Sequence, residues 1–154
     1  MACPALVVGL RLPVPASAFW EGTMITLHLP YPPSINHAFS IIRGRPVLTQ
    51  ETRAYRQRVR GLVRSAGVPT LLGPLAVRLE LYPPDDRRRD CDNAQKSLLD
   101  ALQQAGAFVD DSQIVWLLTI KTQLVAGGKV TVIASSLPDD PFPSSELGPS
   151  LSPL

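Results

Sequence analysis

The period of hydrophobic and polar positions changes several times along this 154-residue chain, and each change marks an element. Met24-Ile25-Thr26-Leu27-His28-Leu29 reads as a strand, ended by Pro30, Pro32 and Pro33 because proline has no N–H to give a ladder. Residues 38–48 read as a hairpin: Phe39-Ser40-Ile41-Ile42, a turn at Arg43-Gly44-Arg45, then Pro46-Val47-Leu48. Thr49 can cap a helix whose apolar residues Tyr55, Val59, Leu62, Val63 and Ala66 fall at helical spacing. Leu75 to Leu81 alternates strictly with odd positions apolar, the mark of a half-buried strand, and runs into the turn Tyr82-Pro83-Pro84-Asp85-Asp86. From Asp92 the apolar positions Ala94, Leu98, Ala101, Leu102 and Ala105 predict a second amphipathic helix, closed by Gly106. Val115–Lys121 and Lys129–Ala134 read as two more strands, and the turn Ala126-Gly127-Gly128 predicts that they pair as an antiparallel hairpin.

Strands on either side of two helices predict an α/β (α+β) fold, a single domain in which a mixed sheet with hairpins packs against the two helices. Its expected limits are residues 24–134. Residues 1–23 show no periodicity and are expected to be disordered or a non-native extension, with Met24 as the functional start. Residues 135–154 are rich in Pro and Ser and are expected to be a disordered tail. The apolar opening resembles a signal peptide only in part, since it has no basic leading region and its first cation, Arg11, follows the apolar run. No apolar run approaches the ~20 residues of a membrane span. Cys3 and Cys91 are too few for a disulfide framework or a zinc ligand set, which makes a reducing, cytoplasmic setting the expectation. Without a Gly-rich phosphate loop or G-x-G-x-x-G, no nucleotide cofactor is expected.

Charge alters this picture. The formal net charge is +2, yet residues 24–134 hold fourteen Lys or Arg against nine Asp or Glu, and eleven of those cations are arginine. The planar guanidinium pairs bidentately with phosphate, so a polyanionic partner is favoured. Arg53, Arg56, Arg60 and Arg64 form one stripe of the first helix, which is either a phosphate contact line or a solvated face.

The densest chemistry is Arg87-Arg88-Arg89-Asp90-Cys91-Asp92-Asn93-Ala94-Gln95-Lys96, with Asp110-Asp111 downstream. Asp90 and Asp92 can offer two hard oxygen ligands from one short segment, as a magnesium ion working on a phosphodiester requires. Asp92 with Gln95 also fits a capping box, and the two roles compete for the same oxygens. Asp90 lies outside the expected helix and is harder to explain structurally. Asp110-Asp111 can be a turn, and in an extended segment only one of the two would face the site. Lys96 is spaced for an i,i+4 pair with Asp92, or to neutralise a developing oxyanion. His28 suggests no chemistry, His37 could touch DNA, and Cys91, between two acids, reads as a small side chain facing the core.

The block Arg87 to Lys96, the helix end Asp100-Ala101-Leu102 through Gly106, the run Val109-Asp110-Asp111-Ser112-Gln113-Ile114 and the early Leu29-Pro30-Tyr31-Pro32-Pro33-Ser34-Ile35-Asn36 together resemble the RusA family of Holliday junction resolvases over residues 24–134. That resemblance implies a homodimeric, Mg²⁺-dependent crossover junction endodeoxyribonuclease that binds four-way DNA junctions and cuts opposed strands symmetrically in recombination and repair. It implies metal ligands at Asp90, Asp92 and Asp111 and a functional lysine at Lys96. With it, Arg53, Arg56, Arg60, Arg64, Arg87, Arg88 and Arg89 become the expected DNA contacts. Cys91 departs from the family's more usual aliphatic residue. The readings that remain open are a non-catalytic DNA- or RNA-binding protein, whose acids are caps and turns, and a general magnesium phosphatase.

Overall fold

Alternation survives into three dimensions most clearly at the first strand of the computed structural model, β1 (Met24–Pro30), where Ile25, Leu27 and Leu29 are buried between exposed neighbours. The structure describes residues 22–139. After β1 come a 3₁₀ turn at Ile35–His37, the hairpin β2 (Phe39–Ile42) and β3 (Arg45–Leu48), and helix α1 (Gln50–Ala66). Then follow β4 (Leu75–Tyr82), α2 (Cys91–Ala105), a 3₁₀ turn at Asp111–Gln113, β5 (Ile114–Lys121) and β6 (Lys129–Ser136). The mixed α+β, single-domain fold is therefore as expected. The expectations for residues 1–21 and 140–154 lie outside the described residues, while Ser135 and Ser136 extend β6 past Ala134.

The four-stranded sheet has the order β1-β6-β4-β5, and β2-β3 forms a separate two-stranded sheet. β4 pairs parallel with β5 and antiparallel with β6, and β6 pairs antiparallel with β1. β1, β4 and β5 thus share one direction, and each connection between them must cross over, which α1 and α2 accomplish. The predicted β5–β6 hairpin is not formed. The turn at Gly127 and Gly128 is present with positive φ, but the segment before it is tied to the end of β4, Thr122 N–H donating to Leu81 O (2.8 Å) and Val125 N–H to Pro83 O (2.9 Å). Those bonds carry the chain past the end of β4 and return it along β4's other edge. Two apolar strands around a glycine turn specify a reversal, not the identity of the neighbour.

Both helices cover the face of the sheet that carries Leu75, Val77, Leu79 and Leu81, and Val59, Val63, Leu98 and Leu102 fill the same core. The opposite face is mixed: an Arg78–Glu80 ion pair (2.6 Å) beside a Tyr82 hydroxyl that donates to Glu80 (3.0 Å) stands among Trp116, Leu118, Ile120 and Ile133. Thr49 caps α1 by accepting from Thr52 N–H (3.3 Å), and Gly67 closes it at φ +60°. The buried side of α1 centres on Thr52, Val59 and Val63, so Leu62, expected in the core, lies on its flank and is exposed. At Gly106 a φ of +82° ends α2 as predicted, a conformation glycine adopts without Cβ strain.

Leu79 sits in the middle of β4 with no exposed surface. Leu79→Ala should therefore cost about 2–5 kcal/mol of unfolding free energy, read by urea denaturation, and a loss below about 1 kcal/mol would mean the packing around β4 is wrong.

Candidate active site

The parallel strands β1 and β4 end on the same side of the sheet, and the proline-containing segments that follow them form opposite walls of a cleft at the start of α2. Its volume is about 280 Å³, and Tyr31, Ser34, His37, Arg88, Asp90 and Asn93 are among its lining residues. Pro83 and Pro84 stop β4, and the following turn is fixed by Asp85. Its carboxylate accepts from Arg87 N–H (3.0 Å) and takes both Nη groups of Arg89, Nη2 to Oδ2 at 2.9 Å. The Arg89 guanidinium beside Asp85 holds that carboxyl down at about 2, below its ordinary 3.8. Arg89 also stacks over the Tyr31 ring at 5.9 Å, and Lys121 Nζ donates to its carbonyl (3.2 Å). Of the three consecutive arginines, Arg89 is thus committed to holding the turn, whereas Arg87 and Arg88 are exposed.

The acids at the head of α2 differ from the capping expectation. Asp90, not Asp92, is the N-cap residue, and its side chain makes no capping hydrogen bond. Asp92 lies inside the first turn, exposed, where a negative charge is favoured by the helix dipole. The capping box with Gln95 is not formed, because Gln95 Oε1 instead accepts from Thr119 Oγ1 of β5 at 2.6 Å. A capping box does exist one segment later: Asp110 accepts from Ser112 N–H (3.0 Å) while Gln113 Oε1 accepts from Asp110 N–H (2.9 Å). The Ser112 hydrogen bonds lower the Asp110 pKa. Of the downstream pair, then, Asp110 is structural and Asp111 is turned elsewhere.

Asp111 turns to Lys96. Lys96 Nζ donates to Asp111 Oδ2 at 3.2 Å and pairs with Asp100 Oδ1 at 3.0 Å, while Arg56 of α1 reaches the other Asp100 oxygen at 3.7 Å. The expected Asp92–Lys96 pair is replaced by Lys96–Asp100, since the lysine leans toward two carboxylates rather than one. Its pKa is raised, chiefly by the hydrogen bond to Asp100 and then by that to Asp111. Asp100 is the residue that sequence reasoning missed; its signal was its place four residues after Lys96. Cys91 is half-buried and packs against the core, as expected.

Asp90, Asp92 and Asp111 offer carboxylate oxygens, the donor type that magnesium takes. Two of them carry no capping bond and the third faces a cation, so all three fit a divalent ion in donor chemistry. Among the described residues, however, no three His, Cys, Asp or Glu side chains stand together closely enough to hold a metal. Asp111 is joined to the second turn of α2 through Lys96, and in this geometry the lysine supplies the positive charge beside it.

Along α1, Arg53, Arg60 and Arg64 are exposed, and Arg56 lies nearer the buried face, where Asp100 holds it. Arg53, Arg56 and Arg60 border a second groove of about 200 Å³ together with Leu48, Gln57 and Gln104. The stripe read from the sequence is therefore partly a groove wall and partly a structural tie. No helix among the described residues is long and apolar enough to cross a membrane.

Comparison with known proteins identifies the family these features belong to. Residues 30–133 match the family model described as Endodeoxyribonuclease RusA. The chain is 36% identical over 113 residues to the crossover junction endodeoxyribonuclease RusA of Shigella sonnei, covering 73% of this chain and 94% of that one. The same values hold for the protein of that name from Escherichia coli K12. A phage relative, the crossover junction endodeoxyribonuclease rusA of Enterobacteria phage 82, is 37% identical over 117 residues, 74% of this chain and 98% of that one.

The Asp85–Arg89 clamp makes a pH prediction. Its folded-state pKa lies below the ordinary value, so its stabilising contribution is complete above 3.8 and is lost as pH falls through about 2. In an NMR titration the Asp85 carboxyl carbon should remain in its ionised position at about pH 3. A midpoint at or above the ordinary value would show that the clamp is absent in solution.

Proposed function

This chain belongs to the RusA family of endodeoxyribonucleases, and we propose that it is a Mg²⁺-dependent crossover junction endodeoxyribonuclease that resolves four-way DNA junctions in recombination and repair. The observation that carries the reading is the division of labour among the acids. Asp110 takes the capping work. Asp90 and Asp92 stand at the head of α2 with no capping bond, beside the exposed Arg87 and Arg88. This disfavours the alternative, a non-catalytic DNA- or RNA-binding protein whose acids are caps and turns.

The chain's own residues have distinct tasks in this reading. Because Asp90 does not cap α2, the first N–H groups of the helix remain open to an anion and, with Arg87 and Arg88, can draw a phosphate into the cleft. Asp90, Asp92 and Asp111 would hold the magnesium ion, which when bound supplies neutralisation of phosphate charge and acidification of water. Lys96, its pKa raised by Asp100 and Asp111, stays an ammonium at neutral pH. It therefore stabilises negative charge on the phosphate or the departing oxygen and does not act as a base. Arg53, Arg60 and Arg64 of α1 extend the basic surface for the flanking DNA.

Symmetric cutting of two strands calls for a homodimer. The outer edge of β5 leaves Val115, Leu117 and Leu118 exposed on an edge strand, which supports a contact with a second copy. Soluble action on chromosomal or phage DNA in the cytoplasm follows from the same reading.

Cleavage of a synthetic four-way junction with and without Mg²⁺ tests it. The wild-type chain should cut paired strands only with the metal. Asp90→Asn, Asp92→Asn and Asp111→Asn should each lower cleavage by at least about 100-fold, a larger loss than removal of a group that only supports a ligand, while junction binding is retained. Tight junction binding by the wild type without cleavage in Mg²⁺ would favour the non-catalytic alternative. Wild-type cleavage by the Asp90 variant would remove that residue from the site.

A further inference from the structure

We propose that the β2–β3 hairpin is a wedge that enters the branch point of bound DNA, with Ile41 and Ile42 stacking against opened base pairs; this rests on the junction-cleaving reading above. Among the described residues, nothing covers most of the hairpin's apolar surface. Ile41 is 72% exposed, Ile42 55% and Phe39 54%, and the hairpin forms a sheet of its own, apart from the four-stranded one. Phe39 and Ile41 oppose Leu48 and Pro46, whereas Ile42 opposes Arg45 and so faces the other side. Apolar groups therefore project from both faces of a two-stranded ribbon. An isolated ribbon of this kind is marginally stable in water, so its outward isoleucines are not there to fill a core.

Charge identifies the occupant. Arg43 and Arg45 flank the tip, and residues 34–50 contain no acid. Two copies meeting tip to tip would set four arginines together, whereas a polyanion is drawn to them. The tip is narrow: Arg43 and Gly44 both have positive φ, +51° and +73°, the pattern of a tight two-residue hairpin turn. Four paired rungs at ~3.3 Å give a reach of roughly 13 Å, enough to pass the depth of a DNA groove.

Position ties the hairpin to the cutting site. Its first strand leaves the wall of the cleft, next to His37, and its second leads into the Thr49 cap of α1. The two roots are pinned together, Thr49 N–H donating to Ala38 O (2.9 Å) and Thr49 Oγ1 to His37 O (3.1 Å). The hairpin thus rises between the cleft that contains Asp90 and the groove that contains Arg53 and Arg60, with its own Leu48 on the groove wall. Inserting an apolar side chain costs the energy of unstacking a base step, and that cost is least where stacking is already interrupted. A branch point meets this condition and an intact duplex does not.

The test uses the full chain and a four-way junction carrying 2-aminopurine at the branch, in EDTA so that no cutting occurs. Binding of the wild type should raise the fluorescence of the probe. Ile41→Ser/Ile42→Ser should remove that rise and weaken junction binding by about tenfold, with linear-duplex binding unchanged. Ile41→Leu/Ile42→Leu should restore the rise. Circular dichroism melting of each variant separates a folded loss from an unfolded one, and an unfolded serine variant would overturn the proposal because it would make the isoleucines structural. Three further results would also overturn it: no rise with wild type, a rise that persists in the folded serine variant, or a serine variant that sediments at half the wild-type mass, which would assign the isoleucines to a dimer contact. A wild type that cuts junctions yet shows no rise sinks the wedge alone. A wild type with no preference for junction over duplex sinks the junction reading beneath it.

Discussion

Burial of β4 on both edges is the constraint from which the remaining geometry follows. With β5 parallel on one side and β6 antiparallel on the other, β4 satisfies its backbone donors and acceptors within the sheet. Its Leu75, Val77, Leu79 and Leu81 anchor the helical face. The parallel neighbour obliges the chain to travel back along α2 before β5 can begin. That return journey separates the head of α2, where Asp90 and Asp92 stand, from the turn before β5, where Asp111 stands. Each is held by a rigid element, and Lys96, further along α2, is the side chain that ties Asp111 to that helix.

Two electrostatic arrangements then divide the arginines and acids between support and function. Asp85 and Arg89 close the turn after β4, with Tyr31 beneath the guanidinium, and so fix the direction in which the chain enters α2. Asp100 gathers Arg56 from α1 and Lys96 from its own helix, and Lys96 passes the connection to Asp111. These exposed or half-exposed pairs are worth little individually as stability. Their effect is orientation. They leave Asp90 without a capping bond and Asp92 and Arg88 exposed beside it at the head of α2.

The cleft, the arginine groove and the hairpin meet around a short segment, His37 to Thr49. A duplex lying across α1 would bring its backbone to the exposed arginines and its neighbouring strand to the cleft, with the hairpin between them. Selectivity for branched DNA would then come from shape and ease of unstacking rather than from base-edge contacts. That division is consistent with a protein whose basic residues are mostly arginine and whose hairpin exposes Phe39, Ile41 and Ile42.

Local sequence determined the elements and their ends. Alternation fixed β1 and β4, the spacing of Tyr55, Val59 and Val63 fixed the buried line of α1, and Gly67 and Gly106 stopped the helices because only a residue without Cβ enters the left-handed region freely. The block from Arg87 to Lys96 with its downstream aspartates was sufficient to indicate the family. Which strand pairs with which, which aspartate caps and which lysine partner wins were decided by tertiary structure. Asp92 and Gln95 satisfy a capping pattern on paper, but Thr119, twenty-four residues away, takes the glutamine. β5 and β6 satisfy a hairpin pattern, but β4 lies between them. The physical reason is common to all three: periodicity records which face of an element is apolar, whereas a polar group or strand edge takes its partner from among distant residues that only the packed core brings within reach.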